Sequence, residues 1–282
     1  MSGYRFGVST HLFHQSPLLR EHLVHIAAHG FDAVEVFATR SHFDYRDEAA
    51  VAQLAEWLSD TRLELHALHA PIFERLSQGQ WVGPLSNAAG DERRRAAAVA
   101  ETRAALAVAR RLPYRYLVVH LGLPSGASKD IENRPDAARR SLEEIAAVAS
   151  EAGVRVAVEV IPNALSQPEA LVRLIEDDLD GLDVGVCLDY GHAHLMGDLA
   201  EAIETVSGHV WTTHMHDNRG REDEHLVPFA GTIDWDRAMM ATQKIGYDGM
   251  LMLEVAATGD PLDVLARSAA ARERLKGTLV TF

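Results

Sequence analysis

Residues 184–194 read VGVCLDYGHAH: an unbroken apolar run, Val184–Leu188, that stops at Asp189 and is followed three residues on by His192. A run that is apolar without alternation is what a strand buried on both faces requires, as in a parallel sheet covered by helices. The same pattern lies on either side of it. Upstream, Val154–Ile161 is apolar apart from Arg155 near its start and Glu159 near its end, and downstream His209–His214 and Met250–Glu254 end in His214 and Glu254.

Working outward, strand-like runs at Phe6–Ser9, Ala33–Phe37, Leu63–His69 and Tyr116–His120 bring the set to eight. Each is followed by a segment with apolar residues at three- and four-residue spacing: Leu19–Ala28, Val51–Leu58, Arg93–Arg110, Ala137–Ser150, Pro168–Ile175, Leu199–Val206, Asp234–Ile245 and Pro261–Leu275. Gly30, Gly153, Gly208 and Gly246 fall between a helix-like run and the next strand, where a left-handed helix cap belongs. Eight uninterrupted strand–helix units predict an α/β chain forming a single (β/α)8 barrel over residues 1–282, in preference to an open doubly wound sheet. The length matches the roughly 250 residues of such a barrel. The long connections Pro71–Asp91 and Met215–Ile233 then fall at the mouth, where barrel loops carry chemistry.

Composition narrows the function. Hydrophobic residues make up 47% of the chain, enough for a full core. The formal charge is -14, and the densest basic run, Arg93–Arg95, reads as a solvated helix face, so nucleic acid and acidic membranes are poor partners. Cys187, the one cysteine, can form neither an internal disulfide nor a thiolate metal site, and it fits a reducing cytoplasm. The segment MSGYRFGVST does not read as a signal peptide, and no apolar stretch approaches the roughly 20 residues of a membrane span. No G-x-G-x-x-G or Walker-type loop is present.

The strand ends carry the chemistry. They supply His69, His120, Glu159, Asp189, His214 and Glu254, with His192, His216, Asp217, Asp223 and His225 close behind in the following loops. In a barrel all of these converge on one mouth. Carboxylates removed from water each cost several kcal/mol unless compensated, and no Lys or Arg ends these strands. A divalent cation resolves the repulsion, and mixed imidazole and carboxylate donors suit Zn, Mn, Co or Fe better than Ca. The alternative is a buried polar network with protonated carboxyls.

The segments VAVEV around Glu159, VGVCLDYGHAH around Asp189 and His192, THMHDNRGREDEH leading into GTIDW, and LMLEV around Glu254 resemble the xylose isomerase-like barrel superfamily, over nearly the whole chain. That superfamily contains sugar and sugar-phosphate isomerases and epimerases together with endonuclease IV. The resemblance implies Glu159, Asp189, His214 and Glu254 as metal ligands, with Mn, Zn, Co or Mg as the cofactor. It implies Glu159 and Glu254 as the groups that move the proton and His192 as a substrate contact. His69 and His120 are further candidate substrate contacts. The arginine that binds substrate in the ketose 3-epimerase branch falls near Gly220, which leaves Arg219 and Arg221 as its candidates. The endonuclease IV branch holds three zinc ions, and its ligand types have counterparts here that add His69, His120, His192, Asp223 and His225 to the metal set.

The leading expectation is therefore an isomerase or epimerase of a sugar or related keto-polyol, acting by proton abstraction next to a carbonyl through a metal-stabilised enediolate. A lyase or dehydratase beginning with the same abstraction and a multi-metal phosphodiesterase remain open. Trp211, Phe13, Phe73 and Trp81 are candidate walls for the apolar face of a sugar. The loops Pro71–Asp91 and Leu121–Arg134 are expected to select the substrate, and Gly122–Gly126 is a candidate phosphate contact. The superfamily's dimers and tetramers leave a homo-oligomer open.

Overall fold

Phe6–Ser9 (β1) pairs in parallel with Ala33–Phe37 (β2), and β2 with Glu64–His69 (β3). A short antiparallel hairpin, Phe73–Ser77 (β4) and Gln80–Pro84 (β5), then stands outside the ring. The ring continues through Tyr116–Val119 (β6), Arg155–Glu159 (β7), Val184–Asp189 (β8), Val210–Met215 (β9) and Leu251–Leu253 (β10), which closes on β1. All eight contacts are parallel, so the expected single barrel is present. The structure, a computed structural model, describes residues 4–125, 133–179 and 181–278. Residues 126–132, which include Gly126 and half of the expected substrate-selecting loop Leu121–Arg134, lie outside the described residues, as do the first three residues of MSGYRFGVST.

The helices wrap the ring: Arg20–Ala28 (α1), Glu48–Thr61 (α2), Glu92–Leu106 (α3), Pro135–Glu151 (α4), Pro168–Arg173 (α5), Tyr190–Met196 (α6), Leu199–Thr205 (α7), Trp235–Lys244 (α8) and Pro261–Thr278 (α9). Their starts follow from local chemistry. Asp47, Asp91, Asp198 and Asp234 each accept a first-turn amide with the side chain, and Pro135, Pro168 and Pro261 open helices where no N–H is needed. The four glycines expected to cap helices all adopt positive φ, between 69° and 84°. Among the described residues no helix is long and apolar enough to cross a membrane.

Alternation along each strand divides the core in two. Val156 and Val158 join the layer between strands and helices, whereas Ala157 packs inside the ring with Ala67, Tyr116, Val118 and Cys187. The ring interior is tight. A Cβ on Gly7 would lie 2.6 Å from Met252 Cε, and one on Gly185 would lie 2.3 Å from the Trp211 ring. Small residues on one strand therefore make room for large ones on a neighbour. Trp211 sits at the foot of the barrel, beneath the Arg155 guanidinium at 3.5 Å and beside Tyr116. It is thus at the opposite end from the mouth, and the expectation of a sugar-facing Trp211 is corrected: as the second residue of β9 it belongs to the N-terminal end of its strand.

Several boundaries differ from expectation for identifiable reasons. The helix expected over Arg93–Arg110 ends at Leu106 and tightens into a 3-10 turn over Ala107–Arg110. The one expected over Pro168–Ile175 loosens after Arg173 into a π turn, Leu174–Asp178. The hairpin and α6 were not expected at all. The hairpin falls in the polar connection after β3, and α6 follows its strand without a break because Asp189 accepts the His192 amide at 2.6 Å.

Gly185→Val places a branched side chain where the Trp211 ring lies. It is expected to cost about 1–3 kcal/mol or more, read as a lower urea midpoint of the metal-free protein.

Candidate metal centre

β7, β8, β9 and β10 deliver one donor group each to a common point. Glu159 ends β7, Asp189 ends β8, His214 is the penultimate residue of β9, and Glu254 directly follows β10. One atom from each lies within 4.8 Å of all the others, and all four side chains are buried. His214 Nδ1 is 3.4 Å from Glu159 Oε1, 3.3 Å from Glu254 Oε2 and 3.9 Å from Asp189 Oδ2. A tetrahedron of donors about 2.1 Å from a central zinc has edges of about 3.4 Å, so the spacing fits a divalent cation. Two of these atoms, His214 Nδ1 and Glu159 Oε1, are buried without a hydrogen-bond partner among the described residues. Orphaned buried polar atoms are rare in folded proteins, and a cation between them would satisfy both.

Two further donor sets adjoin this one. On one side, the second oxygen of Glu159 meets His120 Nε2 at 3.0 Å and His69 Nε2 at 3.2 Å. On the other, Asp223 Oδ2 lies 3.0 Å from His192 Nε2 and 3.1 Å from His225 Nε2, with His216 completing a group of four. The sets are connected. Glu159 belongs to two of them, His192 Nδ1 is 3.3 Å from Glu159 Oε1, and His216 Nε2 is 3.1 Å from Asp189 Oδ1. All nine residues expected as principal or additional metal ligands are therefore in one contiguous cluster.

Electrostatically the cluster is a lattice of carboxylates and imidazoles. Burial pushes the Glu159 carboxyl up, but His120 and His214 outweigh it and hold the group well below the usual carboxylate range. Burial disfavours the imidazolium of His214, yet Cys187, Glu254 and Glu35 together raise it well above its ordinary value. His192 is raised in the same way against burial, chiefly by Asp189 and Asp223, and His225 is raised to about 9 against burial by Asp223. His120 goes the other way, because burial outweighs its contact with Glu159. The raised shifts of His214, His192 and His225 favour protonated rings that offset the carboxylates, and a metal ion would supply the same charge in their place.

Above the cluster opens a cavity of about 250 Å³ lined by His11, Phe37, His69, Ile72, Trp81, His120, Pro124, Glu159, His192, Asp223, His225 and Glu254. Trp81, carried on β5, stacks on Phe73 at 5.4 Å and on His14 at 5.3 Å, and meets Phe37 edge-on at 6.1 Å. Of the aromatics expected at the site, Trp81 reaches it and Phe73 supports it from behind. Phe13 does not, because it stacks on His22 of α1 in the outer core. Arg219 and Arg221 do not line the cavity either. Arg219 is exposed and grips Glu224 with both its backbone amide and its guanidinium, and Arg221 is exposed. Sequence reasoning missed His11, His14, Phe37 and Glu35. For Glu35 and Phe37 the available signal was parity, since both share the inward face of β2 with Ala33.

The loop after β9 is held by Asp217, which lies outside the three donor sets. Its Oδ1 accepts from the amides of Asn218 (2.9 Å) and Ile233 (3.1 Å), and its Oδ2 from Trp235 Nε1 (3.0 Å). Backbone hydrogen bonds between Asp217 and Leu226 close the loop base at 2.7 and 2.8 Å. Asp223 and His225 lie on the loop so closed, and the GTIDW segment forms the clamp. A Cβ on Gly231 would lie 2.3 Å from both Asn218 O and Asp217 Oδ1.

Known proteins share this frame. The chain is 30% identical over 258 residues to the uncharacterised protein MJ1311 of Methanocaldococcus jannaschii, a match covering 89% of this chain and 83% of that one. It is 23% identical over 252 residues to an inosose isomerase of Bacillus velezensis, covering 84% and 83%. Among solved structures, a D-tagatose 3-epimerase-like protein superposes with a TM-score of 0.77 at 28% identity over 97% of this chain and 96% of the other. The profile of the xylose isomerase-like TIM barrel family matches residues 23–276, and the chain belongs to that family.

Proposed function

We propose that the protein is a divalent-metal-dependent isomerase or epimerase of a sugar or related keto-polyol, with Glu159 and Glu254 as its proton-transfer groups. The observation that carries this reading is the placement of those two carboxylates. They come from strands three apart in the ring, flank the same His214 nitrogen at 3.4 and 3.3 Å, and both line the cavity. Epimerisation needs one group to take a proton from a carbon next to a carbonyl and another to return one to the opposite face. A cation held by Glu159, Asp189, His214 and Glu254 would supply Lewis-acid stabilisation of the negative charge that develops on the substrate oxygens. His192 orients a hydroxyl, and Trp81 with Phe37 offers an apolar wall to the carbon face of a ring. The cavity is smaller than the roughly 300–1,000 Å³ pockets that take drug-sized ligands, which suits a single small polyol. The names of the inosose isomerase and the D-tagatose 3-epimerase-like protein agree with this class. A lyase or dehydratase would share the first step and differ in the fate of the carbanion.

One observation favours a second reading. Three contiguous donor sets, two of them sharing Glu159, could hold three ions, which suits metal-assisted hydrolysis of a phosphodiester. Metal stoichiometry separates the two: one equivalent per chain supports the isomerase, and three with phosphodiester cleavage support the hydrolase.

Chelation is expected to abolish turnover, and Mn, Co or Zn to restore it. Because His214 and His192 hold protons well above their ordinary pKa without metal, loading must expel protons. Affinity should therefore weaken as the pH falls, and calorimetric titration in buffers of different ionisation enthalpy should show proton release.

Glu159→Gln and Glu254→Gln should each slow exchange of the substrate's carbon-bound hydrogen with solvent by about 10²–10⁴-fold, followed by NMR in deuterated water. Wild-type exchange in both variants would end the acid/base assignment. Trp81→Ala should raise KM with a smaller change in kcat, as expected for a wall that binds substrate and transition state alike.

A further inference from the structure

Glu35 is a fully buried carboxylate in the middle of β2, outside the three donor sets. Val34 and Val36 on either side of it face the helices, while Glu35 faces into the ring. Its Oε2 accepts from His214 Nε2 at 2.9 Å, and its Oε1 accepts from Ser9 Oγ at 3.0 Å across the β1–β2 pair. Its ion-pair partner among the described residues is that one imidazole. A carboxylate buried this deeply costs several kcal/mol unless something offsets it, so its retention at this point calls for a reason.

Glu35 contacts the nitrogen of His214 that points away from the donor set, so it is not itself a ligand of the central site. A neutral imidazole has one donor nitrogen and one acceptor nitrogen. An ionised carboxylate only accepts, so it keeps the proton on Nε2 and leaves the lone pair of Nδ1 facing Glu159, Asp189 and Glu254. The other rings are set differently. His69, His192 and His225 place Nδ1 against the backbone carbonyls of Ala70 (2.8 Å), Val160 (3.1 Å) and Glu254 (2.9 Å), and so present Nε2 to the cluster. His214 presents the opposite nitrogen, and a side chain from another strand turns it.

We infer that Glu35, held by Ser9, is the positioning residue of the central site: it fixes the ring orientation and tautomer of His214 and raises its basicity as a ligand. The inference rests on the metal-centre reading above. Partners of this kind behind a ligating histidine govern metal affinity strongly. Glutamine at position 35 would keep the volume but add an N–H donor. Turned toward Nε2, that donor would stabilise the tautomer that protonates Nδ1, the nitrogen needed for the ion.

The test uses the full chain stripped of metal and titrated with Co²⁺, read by calorimetry and by the visible absorption of the bound ion. Glu35→Gln is expected to lower Co²⁺ affinity by about 10–100-fold and to alter the cobalt spectrum. It should also shrink the gap between the thermal midpoints of loaded and stripped protein. A merely structural residue would lower both midpoints together and leave the gap and the spectrum unchanged, and that result overturns the inference. Should Glu35→Gln fail to fold, Ser9→Ala carries the test. It removes the donor to Oε1, together with the acceptor of the His11 amide at 3.3 Å, and should weaken Co²⁺ binding severalfold with the same narrowing of the gap, whereas wild-type affinity and gap in Ser9→Ala would overturn the inference. A wild-type chain that takes up no Co²⁺ overturns the metal centre itself, a failure visible before any variant is compared.

Discussion

Four carboxylates, Glu35, Glu159, Asp189 and Glu254, are buried within a few ångströms of one another, and their ion-pair partners among the described residues are all histidines. This arrangement is the constraint on which the rest of the mouth depends. Lysine or arginine would neutralise the acids permanently, whereas an imidazolium can give up its charge by losing a proton. A lattice of that kind is compensated by its own imidazoles, and under the proposed reading an ion would take over that compensation. Preorganisation of this sort makes polar sites effective, because dipoles and charges that are already in place need no reorganisation during the reaction.

The scaffold keeps the lattice in register by distributing the work. Each strand contributes a single donor, and the parallel ladder fixes their stagger: Asp189 is opposite His214, whereas Glu159 is opposite Cys187, two residues before Asp189, and His214 is opposite Met252, two residues before Glu254. Orientation is then set from behind. Backbone carbonyls turn three of the rings, Glu35 turns a fourth, and Asp189 is pinned by the amide at the start of α6. The outer donors Asp223 and His225 lie on a loop whose base is held by hydrogen bonds from Asn218, Ile233 and Trp235 to Asp217.

Much of this was legible in the sequence, and the reasons are specific. Asp189, His214 and Glu254 stood out because each ends an apolar run, so the break in hydrophobicity and the functional position coincide. Glu35 was missed because it lies inside AVEVF, where a polar residue reads as an interruption of a strand and not as its purpose. Only the alternation of faces identifies it, and that becomes informative once the ring is known to be closed. Trp211 shows the converse error: its side chain does point into the ring, but sequence periodicity does not say at which end. The hairpin that carries Trp81 lies in a stretch with few apolar residues, and its strands pair with each other alone, so neither burial nor periodicity announced it. Arg219 and Arg221 were placed by spacing from a motif, and a loop of different internal bonding turned them outward.

The tryptophan beneath Arg155 has a consequence for traffic. With Trp211 filling the space above Gly185 and Tyr116 beside it, the lower end of the ring is stoppered by aromatic side chains. The vessel is blind-ended. Among the described residues, the way to its acids is by the rim that Trp81 overlooks. Under the proposed reading, a proton taken from a carbon there would reach bulk solvent by way of that same rim.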